Sequence, residues 1–101
     1  MFKGTTKPDL PDGFVDRSYG NDVCSHFEKE WKEYTIDVWI NYDDIKLREY
    51  PHQYMVSIRK KEESEIEDGV EFSLNDFSAE GLRIASVRIK KEVWKLMKKY
   101  A

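Results

Sequence analysis

Residues 34–42 read YTIDVWINY. Tyr34, Ile36, Val38, Ile40 and Tyr42 alternate with Thr35, Asp37, Trp39 and Asn41, a period of two carried by β-branched and aromatic side chains. That pattern predicts a strand with one face turned to a core. Downstream the alternation recurs twice, as Tyr54, Val56 and Ile58 against Met55, Ser57 and Arg59, and as Val70, Phe72 and Leu74 against Glu71 and Ser73. The first connection contains Asp43-Asp44 and Pro51, and the second is an acidic turn from Glu62 to Gly69. Consecutive strands with such linkers predict a three-stranded antiparallel meander.

After the strands the period changes. Leu82, Ala85, Ile89, Val93, Leu96 and Tyr100 recur at three and four, the spacing of a helix face. Asp76 or Ser78 is placed to cap its start, with Glu80 in the first turn and Lys95, Lys98 and Lys99 near the end, which suits the helix dipole at both termini. Gly81 and the β-branched Ile84, Val87 and Ile89 pull the other way and leave open a strand over Leu82–Lys90 before a shorter helix.

Upstream, Pro8, Asp9, Pro11, Asp12 and Gly13 are turn formers without a hydrophobic period, so residues 1–13 are expected to form a flexible arm. From Phe14 to Trp31 the apolar residues recur irregularly, which predicts a loop packed on the sheet with a short helical piece over about 25–32. The expectation is a single α+β domain over 14–101. A three-stranded sheet carries the long C-terminal helix on one face and the irregular N-terminal segment on the other.

The bulk numbers agree with one domain. At 101 residues the chain has room for one core, and 40% hydrophobic residues with 14% aromatics separate it from disordered chains. A charged fraction of 37% calls for a strongly solvated face on both sheet and helix. The net charge of -3 conceals an asymmetry: Ser78–Ala101 carries seven Lys/Arg against Glu80 and Glu92, and the remainder is acidic. A lone cysteine, Cys24, gives no intramolecular disulfide, and no apolar run reaches the roughly 18 residues of a membrane span. A reducing, cytoplasmic setting without a membrane is expected.

Candidate chemistry is sparse. Asp22, Cys24 and His26 alternate and could begin a metal site, but a structural zinc site wants four ligands and only His52 and carboxylates remain. Cys24 with His26 or His52 lacks the local signature of a thiol nucleophile. Asp43-Asp44 reads first as turn chemistry, in which Asp side chains bond the backbone two residues on. The five glycines are isolated and form no phosphate-cradling loop. No cofactor, no metal and no catalytic residue is expected, and a small hydrolase built on Cys24/His26 or Asp43/Asp44 ranks last.

Two surfaces are left. On the sheet face away from the helix, Trp39 stands with Thr35, Met55 and Ser57, to be covered by Phe14, Val15 and Tyr19 or open to a partner. Together with the acids beside it, this face suggests a protein-binding site of Asp37, Trp39, Asp43, Asp44, Glu49 and Met55. The leading expectation is a non-enzymatic protein-interaction module, an adaptor or inhibitor acting through an acidic surface on another protein. In general character the chain resembles small acidic proteins of mobile elements, some of which inhibit host enzymes. The alternative is a nucleic-acid-associated protein using Arg83, Lys91, Lys95, Lys98 and Lys99 of the basic C-terminal helix. An exposed strand edge or the Trp39 face would equally serve a homodimer.

Overall fold

The computed structural model describes residues 4–18 and 24–101. The protein is α+β, with an antiparallel sheet and one C-terminal helix. The sheet has five strands in simple sequential order: β1 Val15–Asp16, β2 Ser25–Trp31, β3 Tyr34–Ile40, β4 Tyr54–Lys60 and β5 Ile66–Phe72. The helix, α1, runs from Ala79 to Lys99. A short 3-10 helix, Ile45–Leu47, lies in the β3–β4 connection.

Two of these strands correct the three-stranded expectation. Residues 25–31 form β2, which pairs along its whole length with β3 from Ser25↔Ile40 to Trp31↔Tyr34, in place of a loop or short helix. Phe27 and Trp31 are four apart, a spacing that fits one face of a helix and one face of a strand equally, and Lys29 between them hides the alternation. Non-local pairing with β3 resolves the ambiguity. The two-residue β1 then pairs with β2 at Glu28 and Phe27 and forms the sheet edge. At the other edge β5 starts at Ile66, so the acidic turn is shorter than the sequence suggested, and an irregularity at Ile58/Arg59 shifts the register.

The core lies between sheet and helix. Ile36, Val38 and Ile40 of β3, Tyr54, Val56 and Ile58 of β4, Phe27 and Phe72 meet Ala85, Ile89, Val93 and Leu96 of α1. These helix residues follow the expected stripe, and α1 is continuous through Leu82–Lys90: burial of one face outweighs the weak helix propensity of its β-branched residues. Ser78 caps the start, its Oγ accepting from Gly81 N at 3.2 Å. Tyr100 closes the other end edge-on to Tyr34, with ring centroids 5.0 Å apart.

Among the described residues, 4–14 pack on the helix side and do not cover the far sheet face. Leu10 and Phe14 pack against the helix-side core, Asp9 N donates to Ser86 Oγ of α1 at 2.9 Å, and Lys7 Nζ sits 5.4 Å from the Phe27 ring centroid. Residues 4–13 are fastened at several further points. Thr5 and Pro8 are buried, Thr5 Oγ1 is 3.1 Å from Ser25 Oγ, and Lys29 Nζ donates to the Asp12 carbonyl at 2.8 Å. The physical reason is that apolar Leu10 and Phe14 gain burial beside the core.

Candidate functional site

The sheet face turned away from α1 is the most structured surface of the molecule. Strand register places its side chains in rows: His26, Trp39, Met55 and Glu71 in one, Glu28, Asp37, Ser57 and Gly69 in the next, and Glu30, Thr35, Arg59 and Ile66 beyond. A sheet covered on one face should carry solvated polar groups on the other. Here several are buried instead.

Asp37 is the centre of the arrangement, only 2% exposed. Its Oδ1 lies 2.7 Å from His26 Nε2, and its Oδ2 accepts from Arg59 Nε at 2.8 Å. Arg59 Nη2 also reaches Glu28 Oε2 at 3.2 Å, and Arg17 Nε donates to Glu28 Oε1 at the same distance. The carboxylates are thus matched by guanidinium groups, with a fork geometry that only arginine supplies. His26 in turn lies flat on Trp39, with ring centroids 3.7 Å apart and planes within 4°. A chain of contacts therefore runs from Arg59 through Asp37 and His26 to the Trp39 indole.

Trp39 and Ile66 separate two depressions. The larger, about 540 Å³, is lined by Cys24, Trp39, Tyr50, Pro51, Met55 and Ile66, with His52 and Glu71 at its rim. His52 Nε2 and Glu71 Oε2 are 2.7 Å apart. The smaller, about 410 Å³, holds Ser57, Arg59, Asp37 and His26, bordered by Glu62 and Glu63 of the β4–β5 turn. Ser57 Oγ is buried and has no hydrogen-bond partner among the described residues. Next to the larger depression the β3–β4 connection exposes Ile45, Leu47 and Tyr50.

The chemistry this face can perform follows from those bonds. Ligand atoms of His26, Glu28 and Asp37 lie within 4.8 Å of one another, close enough to converge on a cation. Arg59 already bridges both carboxylates, so a metal ion would meet a fixed positive charge in the same place, and the set reads as an ion-pair network. Ser57, His26 and Asp37 share the face, yet the hydroxyl is not hydrogen-bonded to the imidazole, whose Nε2 is directed at Asp37. A nucleophile needs that link to its base.

The residues singled out from the sequence fall into two groups. Asp37, Trp39 and Met55 come together on the sheet face turned away from α1. Asp43, Asp44 and Glu49 sit in the β3–β4 connection, and the first two have local duties. Asp43 accepts from Thr6 N at 2.9 Å and from Thr6 Oγ1, while Asp44 Oδ1 accepts from Lys46 N at 2.9 Å and caps the 3-10 helix. Of the proposed cover, Phe14 is on the helix side, Val15 is half-exposed at the sheet edge, and Tyr19 lies outside the described residues, as does Asp22 of the candidate metal set. His26, Ser57, Arg59, Tyr50 and Ile66 belong to the face but were absent from the sequence-based set. The alternation Met55–Ser57–Arg59 signalled two of them, whereas His26 depended on recognising β2.

The basic helix is largely committed to local pairs. Arg83 Nη2 binds Glu80 at 2.7 Å, Lys95 Nζ binds Glu92 at 3.2 Å, Lys99 Nζ binds Asp68 at 2.8 Å, and Lys98 Nζ lies 5.0 Å from the Trp94 ring centroid; Lys91 is exposed. The Lys99 contact holds the Asp68 carboxyl below its ordinary range. No helix among the described residues is long and apolar enough to cross a membrane. Compared with protein-family models, curated proteins and solved structures, the chain matches none.

Proposed function

We propose that the protein is a non-enzymatic interaction module that binds another protein through the face of its sheet turned away from α1. One observation carries this reading: a groove of about 540 Å³ in which Trp39, Tyr50, Met55 and Ile66 converge. Tryptophan and tyrosine in a partly enclosed site are the residue types that dominate binding energy at protein interfaces.

The ion-pair network gives the groove its second asset. Trp39 is held by the His26 stack, and His26 by Asp37, so the indole loses little freedom when a partner seats on it. Preorganisation of this kind raises affinity by lowering the entropy cost of association. Glu71 at the groove and Glu62 and Glu63 at the adjoining smaller depression favour a partner that carries basic residues.

Affinity capture from source lysate, with and without nuclease, tests the reading when run in parallel with Trp39→Ala. A stoichiometric protein that survives nuclease and is lost with the variant is the expected result. Recovery that needs nucleic acid and persists in Trp39→Ala would shift the working site to the helix cations.

A further inference from the structure

The outer face of α1 carries a second apolar stripe. Ile84, Val87 and Trp94 are 42%, 55% and 59% exposed. With Lys91 and Lys98 they follow a three-four spacing, and at about 100° per residue this line is centred roughly opposite Ala85, Ile89, Val93 and Leu96. A surface helix with one buried face needs only polar residues on the other. Here the outward line has the a/d spacing of a helix-pairing seam.

Its flanks are cationic in balance, with Glu92 also lining the groove and Glu80 and Glu92 paired to Arg83 and Lys95. Arg83 and Lys90 run along one side, and Arg88 and Lys95 along the other. Between the rows formed by Val87 with Lys91 and by Ile84 with Arg88 lies a shallow groove of about 540 Å³. Grooves between such rows are where the side-chain ridges of a second helix seat.

We infer that this face pairs with an acidic amphipathic helix of a partner protein, one with apolar residues in its seam and Glu or Asp at the flanking positions. Charge complementarity selects that occupant. A second copy would set one net-positive face against another whether the helices ran parallel or antiparallel. Ile84 and Val87 offer nothing to a phosphate backbone. An anionic lipid surface would gain little from three apolar side chains interrupted by Lys91. The site is separate from the Trp39 groove, so either can fail alone.

The probe is a labelled three-heptad peptide with Leu in the seam and Glu on both flanks, its binding followed by fluorescence anisotropy. A peptide with Lys in place of Glu is the control. Saturable binding of the acidic peptide, weakened about tenfold or more by Trp94→Ala or Val87→Glu and unchanged by Trp39→Ala, is the expected outcome. Both helix positions are exposed, and far-ultraviolet circular dichroism verifies that the variants fold. Equal binding of acidic and basic peptides, or indifference to both helix variants, would overturn the proposal. So would a Trp94-dependent dimer in sedimentation, or Trp94-dependent binding to duplex DNA or phosphatidylserine vesicles that exceeds binding to the peptide.

Discussion

Asp37 and Arg59, cross-strand diagonal neighbours on the sheet face turned away from α1, are joined at 2.8 Å with the carboxylate almost wholly enclosed. Removing the charge from one member of such a pair strands the other. Asp37→Asn leaves His26 without its anionic partner and Arg59 with Glu28 alone, and should cost about 3 kcal/mol in urea denaturation. A loss below about 1 kcal/mol would mean that water already screens the pair.

Trp39 makes a different prediction because it stands over the network and is itself only partly buried. Trp39→Ala removes the indole but leaves the Asp37–Arg59 bond intact, so its stability cost should stay near 1 kcal/mol, the scale of one aromatic pair. Thermal melts of the variant and the parent test this. A collapse of the fold would assign Trp39 to architecture and undercut its reading as a binding anchor.

Gly81 sits in the first turn of α1, where propensity alone says that Ala should add about 1 kcal/mol. Tertiary packing reverses the sign. An added Cβ would run into the Asp76 carbonyl oxygen and lie 2.7 Å from Asp76 Cβ, which disrupts the segment that leads to the Ser78 cap. Gly81→Ala should therefore destabilise by about 1–2 kcal/mol, an overpacking cost that exceeds the propensity gain. A stabilised variant would show that the turn before the helix can move aside freely.

Tyr54 is enclosed in the core, and burial, assisted by the charge of Asp43, pushes its phenol up to about 12. A raised phenol favours the folded state fully below the unfolded value of about 10, and that contribution is lost as pH rises through 12. Stability should consequently fall between pH 10 and 12 by about 3 kcal/mol more in the parent than in Tyr54→Phe. At neutral pH the variant forgoes the bond from Gln53 Nε2 at 3.1 Å and should lose about 1 kcal/mol. Parallel pH-dependent denaturation of both proteins isolates Tyr54 from the other tyrosines.

Lys32 holds a left-handed backbone, φ 55°, in the two-residue link between β2 and β3. A side chain pays about 1 kcal/mol for that conformation, so Lys32→Gly should be neutral to about 1 kcal/mol stabilising by calorimetry. A clear loss would reveal that Lys32, whose Nζ lies 5.5 Å from the Trp31 ring centroid, contributes more through that contact than its backbone costs.

The same link explains why β2 was hidden. Hairpins announce themselves by Gly or Asn at the turn, and Lys32-Glu33 has neither. Lys29 interrupts the apolar side of the strand, while His26, Glu28 and Glu30 give the other side the look of a solvated segment. His26 was therefore weighed as a metal ligand with Asp22 and Cys24, although its actual neighbours, Asp37 and Trp39, come from the adjacent strand.

By itself the sequence determined what local period and capping chemistry encode: the alternation of β3 and β4, the buried stripe and Ser78 cap of α1, and the placement of Trp39 and Met55 on the face opposite the helix. Tertiary structure alone decided that β2 completes the sheet, that Leu10 and Phe14 pack beside the helix, and that Asp37 is an ion-pair centre rather than a surface acid. Those outcomes rest on contacts between residues distant in the chain. Whether a carboxylate meets water or a guanidinium, and whether an apolar residue finds a core, depends on which strands become neighbours.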